Sequence, residues 1–418
     1  MRSIRPHIGI FGKTNSGKSS FLNKLTAQQV SIVSEVKGTT TDPVIKSMEM
    51  GDLGPVVFID TAGIDDESGG GGGIGHKRVQ ASKEVLGRVD LAIILLCANT
   101  ISSEDESLIK ELNILETPFL FIHHKSDLQK ISENFSQKLT ESYHVPVYDF
   151  SSLTSSEAEI KNLISIMKSK IPEQALNNPS ILSDLISYGE SVLLVTPIDA
   201  EAPRGRIILP QVQTIRDILD NEGIIYMMKE RELDNFWKRL SYDLRPKIVI
   251  TDSQVFLKVA SVIPPEISLT SFSILFARLK GDFERYIQGT KSIKQLKEHD
   301  NVLILESCSH HISGDDIGRV KIPRWLSNFT GKRLQFDVVS GLDTLTRPIH
   351  EYALVIQCGG CMLTRRQILN RLSLAIAANI PITNYGMAIA YAQGIFERAI
   401  HPFEKLLRPG IDLSEDYL

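Results

Sequence analysis

The sequence predicts an α/β protein with several domains, and three observations support this fold class. Apolar runs such as HIGIFG, VVFID and LAIILL alternate with helical patterns in the first 172 residues. Continuous apolar strands separated by helices are typical of a mostly parallel sheet covered on both faces. Polar or proline-rich stretches at 172–180 and 264–265 then interrupt the pattern. A chain of 418 residues is expected to form about two to three domains.

We therefore predict three α/β domains, at residues 1–172, 180–264 and 266–418. The middle domain has strand-like runs, SVLLVTPI, IIYMM, KIVITD and VFLKVASVI, with helical patterns between them. The last domain has two apolar strands, NVLILES and YALVIQ, each of which runs directly into a cysteine. A long apolar helical pattern closes the chain from Gln367 onward.

Composition and charge exclude several classes of protein. The formal net charge of −4 argues against a nucleic-acid partner, which usually requires a basic excess. The longest apolar run, LAIILLCA, is far shorter than the ~18–20 residues that span a bilayer. The N-terminus lacks the apolar core of a signal peptide, and we expect a cytoplasmic protein with no membrane partner. Four cysteines are too few for a disulfide framework, and Cys97 reads as a buried core thiol.

The segment GKTNSGKS, Gly12–Ser19, fits the phosphate-binding pattern G-x-x-x-x-G-K-[ST] between a strand and a helix. Backbone N–H groups of such a loop and of the helix N-terminus surround phosphate oxygens. Lys18 is expected to reach the β- and γ-phosphates, and the Ser19 hydroxyl is expected to ligate Mg²⁺. The residues expected to contact the nucleotide here are Gly12, Lys13, Thr14, Asn15, Ser16, Gly17, Lys18, Ser19 and Ser20.

A second motif, DTAG, ends the next apolar strand and supplies the other side of a magnesium site. Asp60 is expected to hold Mg²⁺ through water, and the N–H of Gly63 is expected to sense the γ-phosphate. Between the two motifs, GTTTD lies where the first switch of a GTPase belongs. We predict Thr40 as the Mg²⁺-ligating hydroxyl, with Thr39 and Thr41 as alternatives.

Guanine specificity is predicted by HKSD, which ends a later strand. The Asp127 carboxylate is expected to accept hydrogen bonds from guanine N1–H and N2–H₂, a donor pair that adenine does not present. Lys125 is expected to pack over the base, with Ser151 and Ser152 of FSSLT beside it. His124 stands where GTPases carry an asparagine, and an imidazole N–H can perform part of that asparagine's role.

The order and spacing of these motifs resemble the TrmE–Era branch of the translation-factor class of GTPases. The resemblance implies GTP hydrolysis stimulated by K⁺, with Asn15 as the K⁺ ligand and with Lys18 and Thr40 as the other catalytic groups. Ile64 stands where Ras-like enzymes place a water-orienting glutamine, so intrinsic hydrolysis is expected to be slow. A monovalent cation would supply part of the missing positive charge. Five consecutive glycines, 69–73, follow in the second switch and predict a mobile loop.

The remaining three cysteines define a candidate metal site in the last third of the chain. They can be written Cys308-x-His310, then 46 residues, then Gln357-Cys358-x-x-Cys361. Because each half follows an apolar strand, the two halves can meet at strand ends. Three thiolates and His310 suit a closed zinc site, whereas three thiolates alone suit a [4Fe-4S] cluster with one open iron position. The residues alone leave both readings open, together with a redox-active or incidental CxxC pair.

A TrmE–Era type GTPase domain, a small α/β domain and a C-terminal CxH…CxxC resemble the HydF family of [FeFe]-hydrogenase maturation GTPases across the whole chain. The resemblance implies a P-loop GTPase domain, a dimerisation domain that forms a homodimer, and a C-terminal iron–sulfur cluster-binding domain. Cys308, Cys358 and Cys361 would bind a [4Fe-4S] cluster. The scaffold would receive a diiron precursor that depends on two radical-SAM maturases and transfer it to the apo-[FeFe]-hydrogenase.

One position departs from the family pattern. The family has a histidine before its CxxC, where this chain has Gln357, a poor iron ligand. Glu306 and His310 therefore become the local candidates for a fourth iron ligand. An exchangeable fourth position is also what a carrier of an external diiron unit would need.

Two other functions are compatible with parts of the pattern. One is a GTPase that acts on RNA or the ribosome and has a zinc-stabilised C-terminal domain, although the acidic charge balance argues against it. The other is a metal-binding scaffold with a degenerate GTPase domain, which His124 and the glycine run would favour.

Overall fold

The structure is a computed structural model that describes residues 5–26, 32–36, 44–61, 85–176, 179–197, 207–307, 316–340 and 345–407. It divides into two compact units, Met1–Asn178 and Pro179–Leu418. Helices and mostly parallel strands alternate through both units, which confirms the predicted α/β class. Within the described ranges, every helix is too short or too polar to cross a membrane.

A seven-stranded sheet forms the centre of the first unit. Its strands are β1 (His7–Gly12), β2 (Ile32–Val36), β3 (Val44–Met50), β4 (Gly54–Asp60), β5 (Leu91–Leu96), β6 (Phe119–His124) and β7 (Val147–Phe150). The order is β2-β3-β4-β1-β5-β6-β7, with antiparallel β2–β3 and β3–β4 pairs at one edge and parallel pairs elsewhere. Strands β1, β5 and β6 are buried along their whole length, as expected when helices cover both faces.

The helices of the first unit pack on the two faces of this sheet. Those that the structure describes are α1 (Lys18–Thr26), α2 (Ser103–Ile114), α3 (Glu133–Tyr143), α4 (Glu157–Lys170) and α5 (Glu173–Leu176). Ser102 and Ser156 begin α2 and α4 with capping boxes, which satisfy free N–H groups of the first turn. Alternate residues of β5 belong to two separate apolar clusters, so each face of the sheet has its own core.

The second unit contains two four-stranded parallel sheets. The middle sheet has the order β11-β10-β8-β9 and consists of β8 (Ser191–Thr196), β9 (Ile224–Lys229), β10 (Ile248–Thr251) and β11 (Ser268–Ser271). The C-terminal sheet has the order β13-β12-β14-β15 and consists of β12 (Asn301–Glu306), β13 (Gln335–Ser340), β14 (Tyr352–Gln357) and β15 (Ile382–Asn384). The described helices are α6 (Leu209–Asp220), α7 (Leu233–Arg239), α8 (Phe256–Val262), α9 (Phe272–Lys280), α10 (Phe283–Lys291), α11 (Ile322–Thr330), α12 (Arg365–Ala377), α13 (Tyr385–Ala392) and α14 (Phe396–Ile400).

One segment of the middle domain forms a helix where its sequence predicts a strand. VFLKVASVI, predicted as a strand from its β-branched and apolar residues, contains helix α8. Phe256 and Val259 are the buried residues of this helix, three positions apart on one face. The apolar residues therefore follow helical spacing, which outweighs their β propensity.

The two sheets of the second unit share one apolar core. A continuous cluster of buried side chains runs from Ile181 to Phe403. Helix α9 joins the two halves, because it packs against α6 beside the middle sheet and against α12 and α13 beside the C-terminal sheet. The predicted middle and C-terminal domains thus lie within a single compact unit.

In two of the sheets, the direction in which successive strands are added changes at the strands that carry the predicted sites. In the first unit, β1 has β4 on one side and the later β5 on the other. In the C-terminal sheet, β12 has β13 on one side and the later β14 on the other. Such a reversal opens a crevice at the carboxyl ends of the two strands, where ligands bind in parallel α/β sheets. The phosphate loop follows β1, and the two cysteine segments follow β12 and β14.

Candidate nucleotide and metal sites

The phosphate loop connects β1 to α1 in a conformation that its glycines permit. Gly12 and Gly17 have φ angles of 144° and 91°, and Asn15 lies in the left-handed region at 63°. A Cβ on Gly12 would lie 2.7 Å from Leu95 O, and a Cβ on Gly17 would lie 2.5 Å from the His124 ring. The loop therefore requires glycine at both motif positions, while asparagine tolerates the left-handed conformation between them.

The side chains predicted to bind phosphate and Mg²⁺ lie close together beyond β1 and β4. The buried Lys18 donates hydrogen bonds through Nζ to Gly12 O at 2.8 Å and to Lys13 O at 2.9 Å. The Ser19 hydroxyl donates to Asp60 Oδ2 at 3.2 Å. Burial raises the pKa of Asp60, although the bond from Ser19 and the charge of Lys18 act to lower it. A hydroxyl and a carboxylate side by side at a helix N-terminus fit a divalent cation bound to phosphate.

The predicted base-recognition residues meet at the ends of β6 and β7. Lys125, with φ 60°, donates through Nζ to Asn15 O at 2.7 Å and so spans the phosphate loop. The Ser151 hydroxyl donates to Asp127 Oδ1, and its oxygen accepts from Leu153 N at 3.1 Å. Ser151 therefore holds the Asp127 carboxylate in a fixed orientation, which is the preorganisation that base recognition needs.

His124 joins the phosphate loop to the segment after β7. Its buried ring contacts Ser16 O through Nδ1 and Ser152 Oγ through Nε2, both at 2.8 Å. Because a carbonyl oxygen can only accept, Nδ1 carries the proton and Nε2 accepts from the Ser152 hydroxyl. The ring also packs edge-on against Phe21 and stacks on Phe150. A neutral histidine can therefore take over the connecting role of the usual asparagine.

We expect His124 to make the first unit sensitive to mild acid. Burial lowers the pKa of His124, and Lys125 adds to this, while the Ser16 carbonyl and Asp127 raise it. A histidine with a lowered folded-state pKa stabilises the fold above its unfolded pKa of ~6.5 and loses that contribution as the pH falls through the folded value. Between about pH 7.5 and 5.5, the Tm of His124→Asn should therefore fall less than that of the wild type in scanning calorimetry. Equal falls in both proteins would contradict this expectation.

Cys97 is not the fully buried thiol that its apolar run predicts. It is half-buried, and its Sγ lies 3.5 Å from Ser16 O. Strand β5 ends one residue earlier, so the thiol comes to the rim of the phosphate loop. Burial raises the pKa of this thiol, which keeps it protonated at neutral pH and makes it a poor nucleophile.

The predicted switch residues Thr40, Gly63 and Ile64 lie outside the described residues, as do the alternatives Thr39 and Thr41 and the glycine run 69–73. Their roles stay predictions. The described part of the site thus comprises the phosphate loop, Asp60 and the base-recognition segments.

The carboxyl ends of β12 and β14 carry the described part of the candidate metal site. The two strands are adjacent and parallel, so Cys358, directly after β14, lies beside Ser307, directly after β12. Cys308 and His310, the next ligands in the predicted set, lie outside the described residues. The His, Cys, Asp and Glu side chains that are described form no group of three able to hold a metal ion on their own.

Hydrogen-bond donors surround the Cys358 sulfur. Ser307 approaches it with its N–H at 3.1 Å and its hydroxyl at 2.7 Å, and Gln357 Nε2 lies at 3.6 Å. Burial raises the pKa of the Cys358 thiol, while the bonds from Ser307 and from the backbone of Gly360 lower it. Donors directed at a cysteine sulfur are typical of thiolates that bind iron or zinc. The residues present therefore fit a metal-bound thiolate.

The two glycines between the cysteines differ in whether a side chain could replace them. Gly360 has φ 63°, and a Cβ there would clash with Ile368. Gly359 has only the Ser273 hydroxyl near its missing Cβ, at 3.7 Å, an ordinary contact distance. Gly360 is therefore required for the turn that brings the half-buried Cys361 toward α12, whereas Gly359 tolerates a side chain.

Glu306, one candidate for the fourth ligand, forms an ion pair with Arg319. Arg319 binds its carboxylate, with Nη2 at 2.9 Å from Oε2, and the Ser340 hydroxyl donates to the same oxygen at 2.9 Å. Glu306 is buried, while the Arg319 side chain is 33% exposed. Ligation of iron by Glu306 stays a prediction, and it requires the ion pair with Arg319 to open.

Gln357, at the position of the family's histidine, is almost fully buried. Its Nε2 donates to Ser307 Oγ and to Cys358 O, both at 3.2 Å. Its Oε1 accepts no hydrogen bond from any described residue. A buried amide oxygen without a donor costs about 1–3 kcal/mol, and a ligand that brings a donor would recover that energy. Gln357 thus places a donor near the sulfur, and the expectation that it does not ligate iron stays a prediction.

Sequence reasoning missed three side chains that shape this site. Ser307 could have been identified, because it adjoins Cys308 in the sequence. Arg371 of α12 donates to the carbonyls of Glu306 and Val339, and Lys280 of α9 binds the cysteine turn. Lys280 carries no sequence signal, because α9 lies far from the cysteines in the sequence. Arg371 lies on the helix that follows the cysteine turn, and only packing directs it to the ends of β12 and β13.

Comparison with known proteins defines the class of the first unit. Residues 7–125 match the family model described as 50S ribosome-binding GTPase. GTPase Der of Mycoplasmopsis pulmonis is 32% identical over 189 residues, covering 43% of this chain and 43% of the relative. The tRNA modification GTPase MnmE of Prochlorococcus marinus is 38% identical over 122 residues, 29% of this chain and 25% of the relative. GTPase Era of Thermoanaerobacter is 27% identical over 241 residues, 53% of this chain and 76% of the relative. The chain spans less than half the length of Der and MnmE, and its first unit is a P-loop GTPase domain of this class.

Matches to family models in the second unit identify the family. Residues 181–281 match the hydrogen maturase F dimerization domain, and residues 284–402 match the hydrogen maturase F tetramerization domain. The two matches together span more than half of the chain. The chain therefore belongs to the hydrogen maturase F (HydF) family of GTPases, which confirms the resemblance that its motifs show. The alternative of a GTPase directed at RNA or the ribosome is not favoured, because both matches of the second unit are hydrogen maturase domains.

Proposed function

We propose that this chain is a GTPase scaffold that binds a [4Fe-4S] cluster through Cys308, Cys358 and Cys361 and carries the diiron precursor of the hydrogenase H-cluster. The observation that carries the proposal is the pairing of β12 with β14, which brings Ser307, the residue before Cys308, next to Cys358. Membership of the hydrogen maturase F family supports it. The partners implied are two radical-SAM maturases and the apo-[FeFe]-hydrogenase, in the cytoplasm.

The residues of the crevice have separate roles in this proposal. The bound cluster supplies an iron position that an external ligand can occupy. Ser307 and Gln357 donate hydrogen bonds toward Cys358 Sγ and so favour the thiolate. Arg319 retains Glu306, which leaves the fourth position to an exchangeable ligand, to His310, or to Glu306 after its release.

In the first unit, we propose that GTP binds with Mg²⁺ and is hydrolysed slowly. Lys18 exchanges its two loop carbonyls for the β- and γ-phosphates, and Ser19, Asp60 and Thr40 hold the metal ion. Asp127, fixed by Ser151, selects guanine. Hydrolysis changes the switch segments and thereby regulates partner exchange.

Potassium is the proposed activator of this hydrolysis. Asn15 has the left-handed conformation, and its carbonyl accepts the bond from Lys125, so the residue is held at the rim of the phosphate loop. We expect GTP turnover to be several-fold faster in K⁺ than in Na⁺ at equal ionic strength. Asn15→Gly, which permits the left-handed backbone and removes the side chain, should abolish the difference while leaving the Na⁺ rate nearly unchanged. Identical rates in the two salts, measured by phosphate release, would remove the case for Asn15 as a K⁺ ligand.

Anaerobic reconstitution with iron and sulfide tests the proposed cluster. The expected product is a brown protein with a cubane EPR signal on reduction. A colourless protein that retains one zinc ion per chain would refute it.

The family matches support oligomerisation, and we infer that the chain forms a homodimer through the free edge of β9. This strand ends the middle sheet, and its outer edge pairs with no described strand. Ile224 is 51% exposed and Met227 is 37% exposed. An exposed apolar edge of this kind invites pairing unless another strand covers it. A second copy related by a two-fold axis would pair β9 with its own counterpart.

Met227→Lys should weaken that dimer. The lysine would place two like charges across the two-fold axis and would oppose edge pairing. We expect the dissociation constant to rise at least about tenfold, measured by sedimentation equilibrium. Ile114→Lys is the matched control, because Ile114 is an exposed apolar residue on a helix of the first unit, and it should leave the dimer intact. If Met227→Lys dimerises as strongly as the control, the interface lies elsewhere.

A further inference from the structure

Lys280, the last residue of α9, is a buried cation. It is 3% exposed, and it pairs with no carboxylate of the described chain. Its Nζ donates to Gly360 O at 3.0 Å and to Leu363 O at 2.8 Å, and it lies 5.6 Å from the centre of the Phe276 ring. Two carbonyls and a ring face offset only part of the several kcal/mol that burial of an ammonium ion costs.

Apart from burial, the groups that act on the charge of Lys280 are the two cysteines of the turn. Burial lowers the pKa of Lys280 to about 8, while its interactions with Cys361 and Cys358 raise it and so favour the charged form. The two carbonyls that Lys280 binds also flank Cys361 in the sequence.

A second cation, Arg365, also connects the end of α9 to the segment that contains the cysteines. Arg365, the first residue of α12, donates through Nη1 to Leu279 O at 3.2 Å and to Gly281 O at 2.9 Å, where α9 ends. The end of α9 therefore binds carbonyls of the cysteine turn through Lys280, and the start of α12 binds carbonyls at the end of α9 through Arg365. Because α9 is anchored in the shared core, Lys280 has a rigid base from which to hold the turn.

We propose that Lys280 is a positioning residue of the cysteine site, which clamps the turn from Gly360 to Leu363 and places a fixed positive charge near Cys358 and Cys361. The proposal rests on the proposed function, because it assigns a residue to the same site. The clamp orders the turn before any metal binds. The charge stabilises the more negative, reduced state of a bound cluster and so raises its midpoint potential.

Two variants separate the clamp from the charge. Lys280→Met keeps the length of the side chain and removes both functions, whereas Lys280→Gln keeps hydrogen-bond donors and removes the charge. Arg398→Met is the matched control. Arg398 donates to the carbonyls of Ala260, Ile263 and Pro264 in the same unit, and no cysteine is among the charged groups that act on it.

The first measurement uses the full-length, metal-free protein. Amide hydrogen exchange of residues 358–363 should be at least about tenfold faster in Lys280→Met than in the wild type. Arg398→Met should leave that segment unchanged, and Lys280→Gln should restore most of the protection. If Lys280→Met exchanges as slowly as the wild type, Lys280 does not order the turn and this part of the proposal is wrong.

The second measurement uses the reconstituted protein. In redox titration followed by EPR, the midpoint potential should fall in both Lys280→Met and Lys280→Gln, and it should stay unchanged in Arg398→Met and return in Lys280→Arg. An unchanged potential in Lys280→Gln would overturn the charge effect, even if Lys280→Met fails to fold. A wild type that takes up no cluster refutes the proposed function alone, because the metal-free measurement still decides whether Lys280 clamps the turn.

Discussion

Cys358→Ser is expected to lose almost all of the iron–sulfur chromophore after anaerobic reconstitution. The Cys358 sulfur lies at the carboxyl end of β14, and donors from Ser307 and Gln357 are directed at it. A serine hydroxyl is a much poorer ligand for iron than a thiolate, and its shorter side chain leaves these donors without an acceptor at the right distance. Bound iron and sulfide per chain should fall at least about tenfold, as measured by metal analysis and visible absorption.

Cys97→Ser provides the control for this experiment. Cys97 is half-buried like Cys361, but it lies beside the phosphate loop in the other unit. Its replacement should leave the iron content unchanged, and Cys361→Ser should behave like Cys358→Ser. If Cys358→Ser retains a full cluster, or if Cys97→Ser loses it, the predicted ligand set is wrong.

Asp127→Asn should change the base preference of the nucleotide site from guanine to xanthine. The Ser151 hydroxyl donates to Asp127 Oδ1, so the oxygen of an asparagine would take that place and its NH₂ group would replace Oδ2. The carboxylate oxygen that accepts from guanine then becomes a donor, which suits the carbonyl of xanthine. Loss of two charge-assisted hydrogen bonds should weaken GTP binding on the order of 100-fold.

Titration calorimetry with GTP and XTP measures both affinities. Asp105→Asn is the matched control, because Asp105 is a buried aspartate of the same unit that caps α2. It should reduce stability and leave the base preference unchanged. Unaltered GTP affinity in Asp127→Asn would show that another residue reads the base.

Local patterns in the sequence predict much of this fold. The apolar runs of β1, β5 and β6 are buried on both faces, and burial of that kind produces the continuous hydrophobic pattern from which they were predicted. The phosphate loop was predictable because φ angles of 144° and 91° leave little choice but glycine at positions 12 and 17. In contrast, the β-branched residues of α8 predict a strand, whereas the spacing of the buried Phe256 and Val259 is helical.

The candidate metal site was only partly predictable. The sequence places Cys358 after an apolar strand, but strand order arises from long-range packing, and no local pattern sets β14 beside β12. Lys280 reaches the site from α9, so sequence distance conceals it. Arg371 lies on α12, soon after the cysteines, and only the packing of α12 brings it to the Glu306 carbonyl. His124 likewise reads as a departure from a motif, and only the bonds to Ser16 and Ser152 reveal how it connects the two loops.

The continuous core of the second unit determines how the protein can be divided by genetic rearrangement. A cut at residue 282, between the two matched family segments, would separate α9 from α12 and α13 and would uncover Leu275 and Phe276. Each fragment would carry a complementary apolar surface. Produced together, the fragments are expected to reassemble, as in a split reporter, and produced alone they are expected to aggregate. Recombination can therefore attach residues 179–418 to a different GTPase domain, but only as one undivided segment.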